Sequence, residues 1–345
     1  MTEKKKSRLR LLWLIPLTIA TVYIVYNNNA NNKPASYHAI HGQIFGTFYK
    51  ITYQYNKDIQ PEIEQELQRF DASLNPFNKN SVISRVNRNE DVKADTFFQN
   101  VFHRAREISE ATNGAFDGTI APLANAWGFG FKKGAWPDSL MVDSLLELTN
   151  YKRVALIDGK VVKEDPRIML SYSAIAKGYA TDVVGRFLER KGVKNYMVEI
   201  GGEVVVKGVN AQGNPWRIGI SKPVEGALAE VQELQLILQL TDCGFATSGN
   251  YRNFYYKDGK KYAHTIDPRS GYPVQHSLLS ATVMAKDCMT ADALATAFMV
   301  MGLEKAEAFA NNYPEIGACF IYSDEEGNYK TYLTKNMEQY VKQMK

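Results

Sequence analysis

Where this chain turns constrains its fold more than any other feature. Asp158-Gly159 and Asp258-Gly259 each sit between short runs of β-forming residues, over 153–163 and 251–264. Asp-Gly pairs favour two-residue hairpins, so the flanking strands must lie antiparallel. A further hairpin turns near Gly327, and strands are predicted at 42–53, 195–200, 203–208, 216–221, 232–240 and 279–285. Between them, Ile63, Leu67, Phe70 and Leu74 recur at helical spacing and predict a helix over 60–73. Phe97, Val101, Ala105 and Ile108 predict another over 96–112, and further helices are expected within 176–191, over 290–301 and at the C-terminus. Residues 127–140, rich in Gly and Trp, read as irregular, and Ala246–Tyr251 as a polar, glycine-bearing turn between strands. Regular β-α-β alternation is missing. The expected class is therefore α+β, with mixed, largely antiparallel sheets packed with helices, preceded by one N-terminal membrane segment.

With 345 residues, of which 45% are hydrophobic, the chain can bury a large core. Its net charge of +4 is local. Lys4, Lys5, Lys6, Arg8 and Arg10 against Glu3 account for it, so the remainder carries no broad basic face for nucleic acid. Cys243, Cys288 and Cys319 lack metal-type spacing and read as buried small side chains. The basic residues 1–10 lead into an apolar run, Leu11–Tyr26, of a length that suits a signal-peptide core or a short signal anchor. No A-x-A cleavage pattern follows, which favours an anchor. Positive charge before the run keeps the N-terminus in the cytoplasm. The expected layout is a cytoplasmic basic segment (1–10), an anchor in the inner membrane (11–26), a flexible tether (27–38) and one catalytic domain (39–345) on the periplasmic side.

Several clusters can carry chemistry, each beside a plainer reading. Asp292 and Thr296 lie four apart on a predicted helix and share a face. A carboxylate next to a hydroxyl suits Mg²⁺, which takes oxygen ligands and keeps several waters. The same residues also suit helix capping and a bond back to the helix. His264 ends a strand before the turn Asp267-Pro-Arg-Ser-Gly271; it can serve as a base for a hydroxyl nucleophile, or as an ordinary strand-end residue. Lys177, next to Gly178, can meet a phosphate or merely open a helix at the surface. Phe116 and Asp117, in Asn113-Gly-Ala-Phe-Asp117, can stack on and hydrogen-bond a ring system, or simply form a loop.

The set and order of these clusters say more than any one of them. Gly42-x-x-x-Gly-Thr47, Ala115-Phe-Asp117, Ile175-Ala-Lys-Gly-Tyr-Ala180, Gly201-Gly-Glu203, Thr247-Ser-Gly-Asn-Tyr251, His264-x-x-Asp-Pro-x-Ser-Gly271 and Ala291-Asp-Ala-Leu-Ala-Thr296 closely resemble the FAD:protein FMN transferases, the ApbE family, from about residue 40 onward. The resemblance implies an α+β core, FAD as substrate and Mg²⁺ as cofactor. It implies that the Ala180 carbonyl, Asp292 and Thr296 hold the metal. It places FAD contacts at Phe45, Phe77, Ala115, Phe116, Asp117, Lys177, Val183 and Ile266, and gives His264 a part in the chemistry. The implied partner is a threonine-bearing acceptor protein, a membrane redox subunit. Phe45 stands where the family often has methionine, Phe77 where it often has tyrosine, and Ala295 where some members carry a second acidic ligand. A FAD pyrophosphatase and a non-catalytic FAD-binding protein are the other readings of the same pocket.

Overall fold

The computed structural model describes residues 35–131, 136–224, 233–251, 254–257 and 259–344. The basic segment, the apolar run and residues 27–34 of the expected tether lie outside them. Among the described residues no helix is long and apolar enough to cross a membrane.

The chain opens with β1 (Ser36–Ile44) and β2 (Thr47–Tyr55), paired from Ser36 opposite Tyr55 to Ile44 opposite Thr47. The single strand expected at 42–53 is thus the middle of a hairpin. Its turn is Phe45-Gly46, with φ of 55° and 72°, the doubly left-handed geometry of a tight two-residue turn. Phenylalanine seldom adopts positive φ, which is why residue type gave no warning.

Helices α1 (Gln60–Leu74), α2 (Val82–Asn87), α3 (Thr96–Ala111), α4 (Ala121–Ala126) and α5 (Ser139–Leu146) follow. α1 buries Ile63, Leu67, Phe70 and Leu74, the stripe that its spacing predicted. The Asp95 side chain caps α3 by accepting from the Phe98 N–H at 2.9 Å. The hairpin of β3 (Val154–Ile157) and β4 (Lys160–Lys163) turns on Asp158-Gly159, as expected. Next come α6 (Ala176–Arg190), β5 (Tyr196–Ile200), β6 (Glu203–Lys207), β7 (Trp216–Ser221) and β8 (Leu234–Leu240).

β9 (Cys243–Gly249) corrects the turn expected from Ala246 onward: it is an inner strand between β6 and a later neighbour. The hairpin of β10 (Phe254–Lys257) and β11 (Lys260–Ala263) leads to β12 (Leu278–Ala285), α7 (Cys288–Met301), α8 (Leu303–Asn312), β13 (Gly317–Ser323) and β14 (Tyr329–Leu333). In place of the expected C-terminal helix, the chain makes one short turn, α9 (Lys335–Glu338), and ends in β15 (Val341–Met344).

One sheet of eight strands organises the molecule, in the order β1-β2-β5-β6-β9-β12-β13-β14, antiparallel throughout. Helices cover one face and share the main core with it, including Ile51, Phe70, Phe98, Val198, Val283 and Phe298. A three-stranded sheet, β15-β8-β7, covers part of the other face through a second core of Val204, Val206, Trp216, Ile218, Leu238 and Phe245. Strand β6 is buried on both faces, hence its run Val204-Val-Val206. The α+β expectation holds. The small residues of β9 also have a reason: a side chain at Gly244 would strike the backbone of Asp287 and Cys288, where α7 begins against the sheet.

Candidate functional site

α6 and α7 cross closely, and each caps the other. Asp182 on α6 accepts the N–H groups of Cys288 and Met289 in the first turn of α7, both at 2.9 Å. Asp292 on α7 accepts the N–H of Gly178 in the first turn of α6, also at 2.9 Å. Both carboxylates therefore satisfy helix N–H groups that have no partner within their own helix. Gly178 makes the crossing possible, because a Cβ there would lie 2.7 Å from the Asp292 Cβ and strike the Cys288 carbonyl. Burial raises the Asp182 pKa to about 7, helped by the Asp287 charge, although the two N–H bonds pull the other way.

This crossing forms the floor of a cleft of about 1010 Å³. Lys177 and Glu203 form an ion pair there, with Glu203 almost wholly buried. Burial also raises the pKa of Glu203 and of Asp292, against the pull of Lys177. For Lys177, burial disfavours the charge, but Glu203 and Asp292 outweigh it and hold its pKa above the ordinary value. Three ionisable groups thus meet at one floor, Glu203 and Asp292 buried and Lys177 about one-third exposed, as at sites where charge is put to use. Within residues 291–300 of α7 every residue is buried except Thr296, which opens onto the same cleft.

The walls come from loops. Ala115, Phe116 and Asp117 line one side. Asp117 is a pin for its loop, accepting from the Thr119 N–H (2.7 Å), the Thr119 hydroxyl (2.6 Å) and the Tyr151 N–H (2.9 Å). Burial raises its pKa against those bonds. His264 and Ile266 line the cleft as well. The turn after His264 is built, not slack: the Gly271 N–H bonds to the Asp267 carbonyl at 2.8 Å, and the Trp127 indole bonds to the Gly271 carbonyl at 2.8 Å. Buried Thr265 donates to Asn250 at 2.6 Å, so the backbone beside His264 is held. Phe77 stands at the mouth, 71% exposed.

Three expected site residues do not reach the cleft. Phe45 sits at the β1–β2 turn with its ring centroid 5.6 Å from that of Phe70. Ala180 and Val183 are buried inside the uninterrupted α6. A carbonyl in that position accepts from the N–H four residues on, and Ala180 is absent from the cleft lining. Of the alanines at 174, 176 and 180, Ala174, in the loop before α6, lines the cleft. Glu203 stood in a quoted motif without a role, and only its burial beside Lys177 singles it out.

The floor fits a divalent cation. Glu203 Oε2 is buried with no hydrogen-bond partner among the described residues, and a buried anionic oxygen without a donor is costly. Asp292 spends Oδ2 on Gly178, and Thr296 offers a hydroxyl one turn away. Two carboxylates and a hydroxyl suit a hard cation that keeps water ligands. Among the described residues no group of three or more His, Cys, Asp or Glu forms a metal cage.

Comparison with known proteins gives the family of the chain. The ApbE family matches residues 45–320. The FAD:protein FMN transferase of Vibrio cholerae is 36% identical over 324 residues, spanning 90% of this chain and 94% of the relative. That of Escherichia coli (strain K12) is 30% identical over 328 residues, spanning 90% and 92%. Among solved structures, the flavin transferase ApbE from Vibrio cholerae superposes with a TM-score of 0.79 at 35% identity, covering 89% of this chain and 100% of that one. The apo form of the Pseudomonas stutzeri flavinyl transferase ApbE gives 0.78 at 31% identity, covering 90% and 98%. This chain, an enzyme like these relatives, belongs to the ApbE family.

Proposed function

We propose that the enzyme binds FAD in the cleft and, with Mg²⁺ at the floor, transfers FMN to a threonine hydroxyl of a partner protein, releasing AMP. The observation that carries this reading is the floor of Lys177, Glu203 and Asp292, open at Thr296, beneath apolar walls that include Phe116 and Ile266. Asp292, Thr296 and Glu203 would hold the metal, beside the loop at Ala174. Bound there, Mg²⁺ would offset charge on the pyrophosphate oxygens as the phosphorus–oxygen bond breaks.

The residues of the chain do the rest. Ile175, just before α6, offers no side-chain cap, so of the first-turn N–H groups Asp292 takes that of Gly178, and Ser173, Ala174 and Lys177 at that end line the cleft. A helix N-terminus and an ammonium group together favour phosphate there. The apolar walls take the flat ring system and exclude water. The acceptor oxygen forms a bond to the FMN-side phosphorus, and the bond from that phosphorus to the bridging oxygen breaks. The bridging oxygen leaves with AMP. The hydroxyl proton passes to His264 and then to solvent. Water in place of the threonine would give FMN and AMP.

The basic segment and the apolar run support a signal anchor that holds residues 39–345 at the periplasmic face of the inner membrane. There it would meet acceptors that are membrane redox subunits. Protease added to spheroplasts should then digest the domain; protection would place it in the cytoplasm.

The deciding assay mixes enzyme, FAD, Mg²⁺ and a threonine-bearing acceptor protein, and reads flavin fluorescence on the denatured acceptor together with AMP. Equimolar label and AMP, both lost in EDTA, is the expected result. AMP and free FMN without label would make it a hydrolase. Asp292→Ala should abolish Mg²⁺-dependent turnover, and an unchanged rate would remove Asp292 from the site.

A further inference from the structure

A second part of the cleft wall is made by a strand and not by a loop. β7 pairs with β8 along one edge and ends the three-stranded sheet. Among the described residues no strand pairs with its other edge. Arg217, Ile218, Gly219 and Ser221 all line the cleft. Successive residues of a strand point to opposite faces: Ile218 is buried in the second core, whereas Arg217 and Gly219 are exposed. A strand that shows the cleft residues from both faces is turning its edge toward it, and with it a row of backbone N–H and C=O groups.

Natural sheets usually cover such an edge or blunt it with charge, proline or a bulge. β7 has no proline, and its register shift comes only at the far end, between Ile220 and Ser221. The run Trp216–Ile220 therefore stays regular. Beside it, the outward face of the large sheet presents Phe48, 69% exposed, and Lys50 opposite Glu199. Arg217 forms no ion pair among the described residues, although its side chain stands at the cleft. The reaction proposed above needs one more component in this same cleft, a polypeptide hydroxyl next to the floor residues Asp292 and Thr296.

We infer that the acceptor protein binds as an extended segment added to the free edge of β7, with Arg217 meeting an acidic side chain of that segment. The inference rests on the transferase reading. Main-chain pairing supplies most of the affinity in this mode, and side-chain pockets at alternate positions supply selectivity. Phe48 gives such a pocket an apolar wall. Pairing also fixes the register, so that one side chain of the segment is delivered to the floor.

The test uses the full-length enzyme with FAD and Mg²⁺, and a pool of ten-residue synthetic peptides that carry one fixed central threonine. Labelled peptides are read by flavin fluorescence and mass, alongside AMP. The best-labelled sequence is then remade with one N-methyl amide at a time. Edge pairing predicts that labelling falls at every second position, by roughly tenfold or more per lost backbone bond, and holds in between. It also predicts slower amide exchange at residues 216–221 when peptide is present, and selection of an acidic residue that Arg217→Glu reverses. Labelling without alternation, with exchange at β7 unchanged, would overturn the edge while leaving the transferase standing. AMP release with no peptide labelled, but with a protein acceptor labelled, would also overturn it, because the acceptor would then be read as a folded surface. AMP with neither labelled would remove the transferase reading itself.

Discussion

The floor of the cleft and the aromatic cluster around Phe129 are held by different forces. At the floor, α6 and α7 exchange caps through Asp182 and Asp292, and Gly178 lets their backbones touch. Each bond is directional, short and buried, so the geometry exists before any substrate arrives. Around Phe129, which lines the cleft, the contacts are aromatic. Phe129 stacks on Tyr255 at 4.9 Å between centroids, Trp127 on Tyr262 at 5.9 Å, and Trp136 meets Tyr262 edge-on at 4.8 Å. Ring contacts tolerate sliding in a way that a carboxylate on two N–H groups does not. A site of this kind fixes its charges and lets its apolar surface adapt.

That contrast can be broken most severely at Gly178. Gly178→Ala should part the two helices, lowering stability by about 3 kcal/mol or more, the upper end of overpacking, and turnover should be lost with it. Urea unfolding beside the FAD assay checks this, and wild-type stability would mean the crossing is looser than the geometry requires. His264→Ala leaves the floor intact. It should slow transfer by roughly 10²–10⁴-fold, the usual reach of a general base; a loss under threefold would leave His264 a structural role only. Phe77→Ala, at the mouth, should raise the KM for FAD by about tenfold or less at unchanged kcat, as uniform binding is removed. A fall in kcat instead would give the mouth a share in positioning.

The smallest effect is a pH dependence. Asp182 has a folded pKa of about 7 against about 4 in the unfolded chain, so the folded state binds its proton more tightly. Its stabilising contribution is whole below the unfolded value and is lost as pH rises through the folded one. Unfolding free energy should therefore decline between roughly pH 4 and pH 7, by at most about 1.4 kcal/mol per pH unit. Asp182→Asn should lack that slope; an identical slope in both would assign the dependence to other groups.

How much of this was legible in the sequence depended on whether the signal was local. Hairpins marked by Asp-Gly and helices marked by a periodic apolar stripe were readable, because turn chemistry and amphipathic spacing act over a few residues. β9 was misread because Gly244 and its small neighbours serve a helix packed across them, a reason visible only in three dimensions. The C-terminal residues become strand β15 because β8 offers an edge, which local propensity does not record. At the site, the motifs brought Lys177, His264, Asp292 and Thr296 to one cleft. They did not distinguish Ala174 from Ala180, since that depends on where the helix begins. Nor did they mark Glu203, whose role comes from burial beside a lysine 26 residues away.

The exchange of caps also bears on how the enzyme comes into being. The bond from Gly178 to Asp292 spans 114 residues, so a growing chain has α6 long before the ribosome delivers α7. Until then the first turn of α6 lacks its acceptor, and the floor lacks both Asp292 and Thr296. An unfinished or clipped chain that ends before α7 keeps Lys177 and Glu203 but lacks Asp292 and Thr296. On the function proposed above, such a chain would leave FAD uncut, and synthesis would carry its own checkpoint.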